Sequence, residues 1–132
     1  MTTSLPRAYF ETRFQIEGEP SSLPPVFAIL TAFYPMDEVT SPEANTAADA
    51  LLESALRSAG HEPVRVTGTS PDRSHEEPGW AINCPLEEAL LIARQFRQRA
   101  IWWIENDELR LVDCGNPTPL PVAWFSERIQ TP

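Results

Sequence analysis

From Phe10 to Glu17 apolar and polar residues alternate, with Phe10, Thr12, Phe14 and Ile16 set against Glu11, Arg13, Gln15 and Glu17. A period of two places each set on its own side of an extended chain, so a strand with one buried face is expected here. Gly18 to Pro25, rich in Pro and Ser, reads as a loop. Val26-Phe27-Ala28-Ile29-Leu30-Thr31-Ala32-Phe33 is then almost wholly apolar and rich in strand formers, which predicts a central strand covered on both faces.

The strongest helical pattern follows. Ser41 is a good N-cap, Pro42 suits the first helical position, and Glu43 suits the positive end of the helix dipole. Ala44, Ala47, Ala48, Leu51, Leu52, Ala55, Leu56 and Ala59 make a stripe at helical spacing that Gly60 ends. So many alanines predict a helix lying close against a sheet, and His61 reads as a capping residue. Val64 and Val66 alternate with Arg65 and Thr67 in a short half-exposed strand. Gly68 to Gly79 reads as a polar loop, followed by a strand at Trp80–Cys84. Pro85 opens a second helix that buries Leu86, Ala89, Leu90, Ala93 and Phe96. Ala100–Glu105 and Glu108–Val112 form a hairpin across Asn106-Asp107. The segment 114–132 is Pro-rich and expected to be irregular, with Trp124 and Phe125 docking on the body.

This order predicts an α+β fold. Its core is a ferredoxin-like, split βαβ antiparallel sheet with two helices on one face, joined by an extra N-terminal strand and a C-terminal hairpin strand. The 132 residues make one domain, with its core at about 9–113. Val26–Phe33 and Ala100–Glu105 are apolar on both sides, yet the helices cover only one. The other face needs the first strand, the Trp124-Phe125 tail or a second subunit, and a homodimer through the open face is one expectation.

Composition narrows the function. Ten basic residues against 19 acidic ones give a net charge of −9, a field that repels phosphate backbones and anionic lipid. Nucleic acid and membrane partners are therefore not expected. The start at Met1–Arg7 shows no signal peptide, so a cytoplasmic protein with reduced Cys84 and Cys114 is expected. His61, His75, Cys84 and Cys114 lack metal-ligand spacing, and no Gly-rich phosphate loop precedes either helix, so no metal and no cofactor are expected. No Gly-x-Ser-x-Gly elbow is present, and Cys84 reads as a small buried thiol.

In the split βαβ layout, the Phe33–Ser41 loop, the Gly68–Gly79 loop and the end of the second helix share one end of the sheet. That end gathers Tyr34, Asp37, Thr40, Asn45, Arg73, His75, Glu77 and Gln98. The candidate ligand-binding residues are Asn45, Glu77, Gln98, Asp37, Arg73 and His75, with Asn45, Glu77 and Gln98 expected to face a common space.

Several short motifs also carry a resemblance. They are Tyr9-Phe10-x-Thr12-x-Phe14, Phe27-Ala28-Ile29-Leu30-Thr31-Ala32 running into Pro35, Asn45 within the capped helix, Glu77 ahead of a strand, and Phe96-x-Gln98-x-Ala100-Ile101. On these, spanning most of residues 9–112, the chain resembles a bacterial family of uncharacterised proteins, the domain of unknown function numbered 3293. The resemblance implies a shared fold and no particular reaction, and it picks out Asn45, Glu77 and Gln98. Such proteins tend to show Asn-Pro followed by Ser where this chain has Tyr34-Pro35-Met36-Asp37, and a Ser where it has Gly79. A shared activity that needs those groups would be lost or altered here.

Three functions are compatible with these residues. One is a small ligand-binding or protein-interaction module with a polar site at one end of the sheet. Another is a small enzyme using Glu77 as general acid or base, assisted by His75 or Asp37. The third is an assembly protein without a pocket.

Overall fold

The computed structural model describes residues 5–130; the first four residues of the start read above for a leader, and the last two of the tail, lie outside them. Seven strands form one antiparallel sheet: β1 (Arg13–Ile16), β2 (Val26–Thr31), β3 (Val64–Thr69), β4 (Glu76–Ile82), β5 (Ala100–Glu105), β6 (Glu108–Asp113) and β7 (Asn116–Trp124). Their spatial order is β1-β3-β4-β2-β5-β6-β7. Helix α1 (Pro42–Ser58) and helix α2 (Leu86–Gln95) complete an α+β architecture.

Local chemistry explains the helix ends. The Ser41 hydroxyl accepts a hydrogen bond from the Ala44 N–H at 3.1 Å, and Pro42 costs nothing where that N–H has no helical partner. At the other end Gly60 turns left-handed with φ 92°. The Gly60 N–H then reaches the Arg57 carbonyl and the His61 N–H the Leu56 carbonyl, so two carbonyls of the last turn are satisfied. His61 caps through its backbone. Its imidazole Nε2 lies 2.9 Å from Glu88 Oε1 instead and ties the end of α1 to the start of α2.

Both helices pack on one face of the sheet. Leu52, Leu56, Ala89, Leu90 and Ala93 bury against Ala28, Leu30, Ile82, Ile101 and Trp103. The opposite face is concave, because the sheet curls into a half-barrel. Phe14 on β1 meets Ile129, beyond β7, in a parallel bridge that links segments from the two edges. Arg128 Nη1 donates to the Phe10 and Thr12 carbonyls at 3.0 and 3.2 Å, adding to the closure. Inside the curl, Phe14, Phe27, Ile29, Ala81, Ile104 and Phe125 form a second core. Phe125 sits between Phe14 and Phe27, with ring centroids 5.3 and 5.4 Å away. The apolar face that motivated a second subunit is thus covered within the chain, by β1 and the C-terminal segment.

Three expectations need correction. The C-terminal segment is not irregular, since Asn116–Trp124 forms β7 on β6. Its prolines disguise it. Pro117, Pro119 and Pro121 lack backbone N–H groups, which an edge strand with register shifts against β6 can accommodate. Within that tail Phe125 docks as expected, whereas Trp124 stays more than half exposed. Finally, half of the Gly68–Gly79 loop is strand, because β3 runs to Thr69 and β4 begins at Glu76. Only the tip turns, held by the Ser70 N–H on the His75 carbonyl and by Asp72 accepting from Ser70 and Ser74. The expected hairpin at Asn106-Asp107 is present, with both residues at positive φ in a two-residue connection.

Candidate functional site

Alternation along the strands decides what faces the hollow of the half-barrel. Ile29 and Thr31 on β2, Glu77 and Gly79 on β4, Gly68 on β3 and Trp102 on β5 share the parity of the concave core. Moving Glu77 from loop to strand therefore also fixes its direction. Opposite Glu77 in register stands Gly68, which has no side chain to fill the space.

A cavity of about 460 Å³ opens at this end of the concave face. Phe14, Ile29 and Trp102 contribute apolar wall, while Tyr9, Asp37, His75, Glu77 and Gln98 contribute polar groups. Four of the residues picked from sequence thus line one space. The other two stand apart from it. Arg73 lies at the exposed hairpin tip with φ 62°, and neither it nor Asn45 is among the lining residues.

Asn45 instead builds the loop that carries Asp37. It is 3 % exposed, and its Oδ1 accepts from the Tyr34 N–H at 3.2 Å and from the Thr40 hydroxyl. Gln98 works on the same loop from the other side, with Nε2 donating to the Phe33 and Phe96 carbonyls at 3.2 and 3.3 Å. The Met36 N–H adds a bond to the Arg97 carbonyl at 2.7 Å. These fastenings oppose local strain: Tyr34, Met36 and Asp37, none of them glycine, hold φ of 48°, 52° and 62°. A left-handed backbone at three such residues persists only where the surroundings over-determine it.

Two carboxylates of different character result. Asp37 accepts from the Tyr9 hydroxyl at 2.6 Å and lies 3.4 Å from Arg99 Nη1. Glu77 has one hydrogen-bond partner for its carboxylate among the described residues, His75 Nε2 at 3.3 Å from Oε2. Burial is the main cause that raises the Glu77 pKa above the ordinary glutamate range; His75 opposes the shift and the Asp37 charge adds to it. Tyr9 is also raised, first by burial, then by its bond to Asp37 and by the Asp37 charge. The Tyr34 ring stacks on His75 at 5.3 Å between centroids and an angle of 26°.

Tyr9, Thr12 and Trp102 are wall residues that sequence reasoning did not assign to a site. A signal for two of them was available, because Tyr9 and Thr12 belong to the opening motif Tyr9-Phe10-x-Thr12-x-Phe14. Gly79 explains a departure noted above. A Cβ there would stand 2.5 Å from the Leu30 carbonyl oxygen, so in this chain β2 and β4 leave no room for a serine side chain.

Other chemistry is not favoured by the geometry. Burial pushes both the Cys84 and Cys114 thiols up to about 11, which is the reverse of nucleophile activation. Among the described residues no three His, Cys, Asp or Glu side chains group as metal ligands, and no helix is long and apolar enough to cross a membrane.

No significant match is found among curated proteins or solved structures. Residues 30–101, more than half of the chain, match a family model described as a protein of unknown function (DUF3293). That span begins in β2 and ends in β5, and so takes in both helices, the strained Asp37 loop, Glu77 and Gln98. The chain belongs to the DUF3293 family.

Proposed function

We propose that this protein binds a small molecule in the cavity of its concave face. The observation that carries the reading is the cavity itself: a space of about 460 Å³ with apolar walls and a few convergent polar groups. That size falls within the usual range for small-molecule sites, on the order of 300–1,000 Å³. The strained and heavily fastened 34–40 loop supports it, since strain of this kind concentrates at functional sites. A pocket-free assembly protein would have no use for either feature.

The test is a thermal-shift screen of a metabolite library on the wild-type protein and on Ala8→Trp. Ala8 is exposed and lines the cavity, so a large ring there fills the mouth without entering the core. At least one compound should raise the wild-type melting temperature and leave Ala8→Trp unmoved. Compounds that stabilise both proteins equally would place binding elsewhere.

A second reading, an enzyme using Glu77 as acid or base, is favoured by the raised pKa of Glu77 and by His75 beside it. It requires that a compound binding in the cavity be converted by the wild-type protein and not by Glu77→Gln.

On fold, we read β2-α1-β3-β4-α2-β5 as a split βαβ core extended at both edges. The order β3-β4-β2-β5 with antiparallel neighbours supports this. We read the protein as cytoplasmic, supported by two buried, unpaired cysteines.

A further inference from the structure

Building on the small-molecule reading of the concave cavity, we infer that its ligand is an organic monocation: an ammonium group seated at Glu77 beside Asp37, joined to an apolar or aromatic body lying against Ile29 and Trp102. The walls decide this by their chemistry. Asp37 and Glu77 are both acidic, and among the described residues no Lys or Arg lines the space. The Arg99 guanidinium lies 3.4 Å from Asp37, which also receives the Tyr9 hydroxyl, so the Asp37 charge is already partly met. Glu77 is not served in this way. His75 is its single carboxylate partner, at 3.3 Å, and Oε1 has none among the described residues.

An anionic ligand would meet two like charges on the cavity wall, which is unfavourable. A neutral ligand would leave the partly buried Glu77 carboxylate poorly paired. A cation relieves that burial cost and satisfies the open oxygen with a charge-assisted hydrogen bond. The ligand's body meets Phe14, Ile29 and Trp102.

The experiment is calorimetric titration of the whole chain with three probes of similar size: phenethylammonium, 2-phenylethanol and 3-phenylpropanoate. Phenethylammonium should bind at least about tenfold more tightly than either of the others, a difference of about 1.4 kcal/mol. Glu77→Gln should cost the ammonium probe about that factor and leave 2-phenylethanol unchanged. Equal or tighter binding of the alcohol or the carboxylate, abolished by Ala8→Trp, would overturn the cationic class while leaving the cavity as the ligand site. Failure of all three probes to bind at millimolar concentration would count against the class and the site together. Ammonium binding that Glu77→Gln does not weaken would remove Glu77 as its seat and overturn the inference.

Discussion

The two faces of the sheet are made by the same strands and closed in different ways. On the convex face, two helices seal the strands with Leu52, Leu56 and Ala89, all at 0 % exposure. On the concave face, the closure comes from short segments at the two ends of the chain, with Phe14 and Phe125 as plugs. Helices cover a surface continuously. Two short end segments cover it in patches, and the opening they leave near Glu77 becomes the cavity. The helices thus seal one face, and the cavity proposed as the binding site opens on the other.

The largest expected effect tests the sealed face. Leu56→Ala should destabilise the protein by about 2–5 kcal/mol, as truncation at a fully packed site does. Thr12→Ala on the cavity wall should cost less than about 1 kcal/mol, because that wall is not tightly packed. Denaturant unfolding of both variants measures the contrast, and similar costs would erase it.

Next comes the seam between β2 and β4. Gly79→Ser forces a Cβ toward the Leu30 carbonyl oxygen, so a loss of about 1–3 kcal/mol is expected, with added disturbance of Glu77 two residues away. A neutral result in the same unfolding assay would mean the strands part readily there, and the explanation offered for Gly79 would fail.

Asn45 separates support from contact. Asn45→Ala leaves the Tyr34 N–H and Thr40 hydroxyl without their acceptor, an expected cost of about 1–3 kcal/mol. Asn45→Asp keeps an acceptor oxygen and should recover part of that loss. Ligand affinity should follow the ordering of the 34–40 loop, readable as amide-exchange protection, since Asn45 itself does not line the cavity.

The smallest effect is a pH dependence centred on Glu77, which faces His75, Asp37 and Tyr9. Its folded pKa is raised, so the folded state favours the protonated form. The associated stability is fully present below the unfolded value, about 4.3, and is lost as pH rises through the raised folded value. Relative to wild type, Glu77→Gln should therefore gain melting temperature between pH 4 and neutrality. A difference between the two proteins that stays constant across that range would show that Glu77 carries no such burden.

The contrast between faces also marks what could be read from residues alone. The capped α1, the buried runs of β2 and β5 and the Asn106-Asp107 turn follow from periodicity and turn chemistry, and all are present. The concave closure does not, because it depends on which distant segments meet. Nothing local in Phe125 announces contact with Phe14, and alternate prolines conceal a strand in Asn116–Trp124. The site was half legible for a similar reason. Polar residues at one end of the sheet could be gathered from element order, but Glu76-Glu77-Pro78-Gly79 reads as loop by composition. Only pairing with β3 and β2 makes it strand and turns Glu77 into the hollow. Asn45 does not line the cavity, and its amide holds the 34–40 loop instead.

The most direct test of a binding face opposite a sealed one is a heteronuclear NMR titration of the labelled protein with the three phenyl probes. The account expects saturable shifts at Ile29, Thr31, Gly68, Thr69 and the Trp102 indole, with none at Leu51 and Leu91 on the exposed sides of the helices. Saturable shifts centred on the helices, or none on the concave face with any probe, would contradict it.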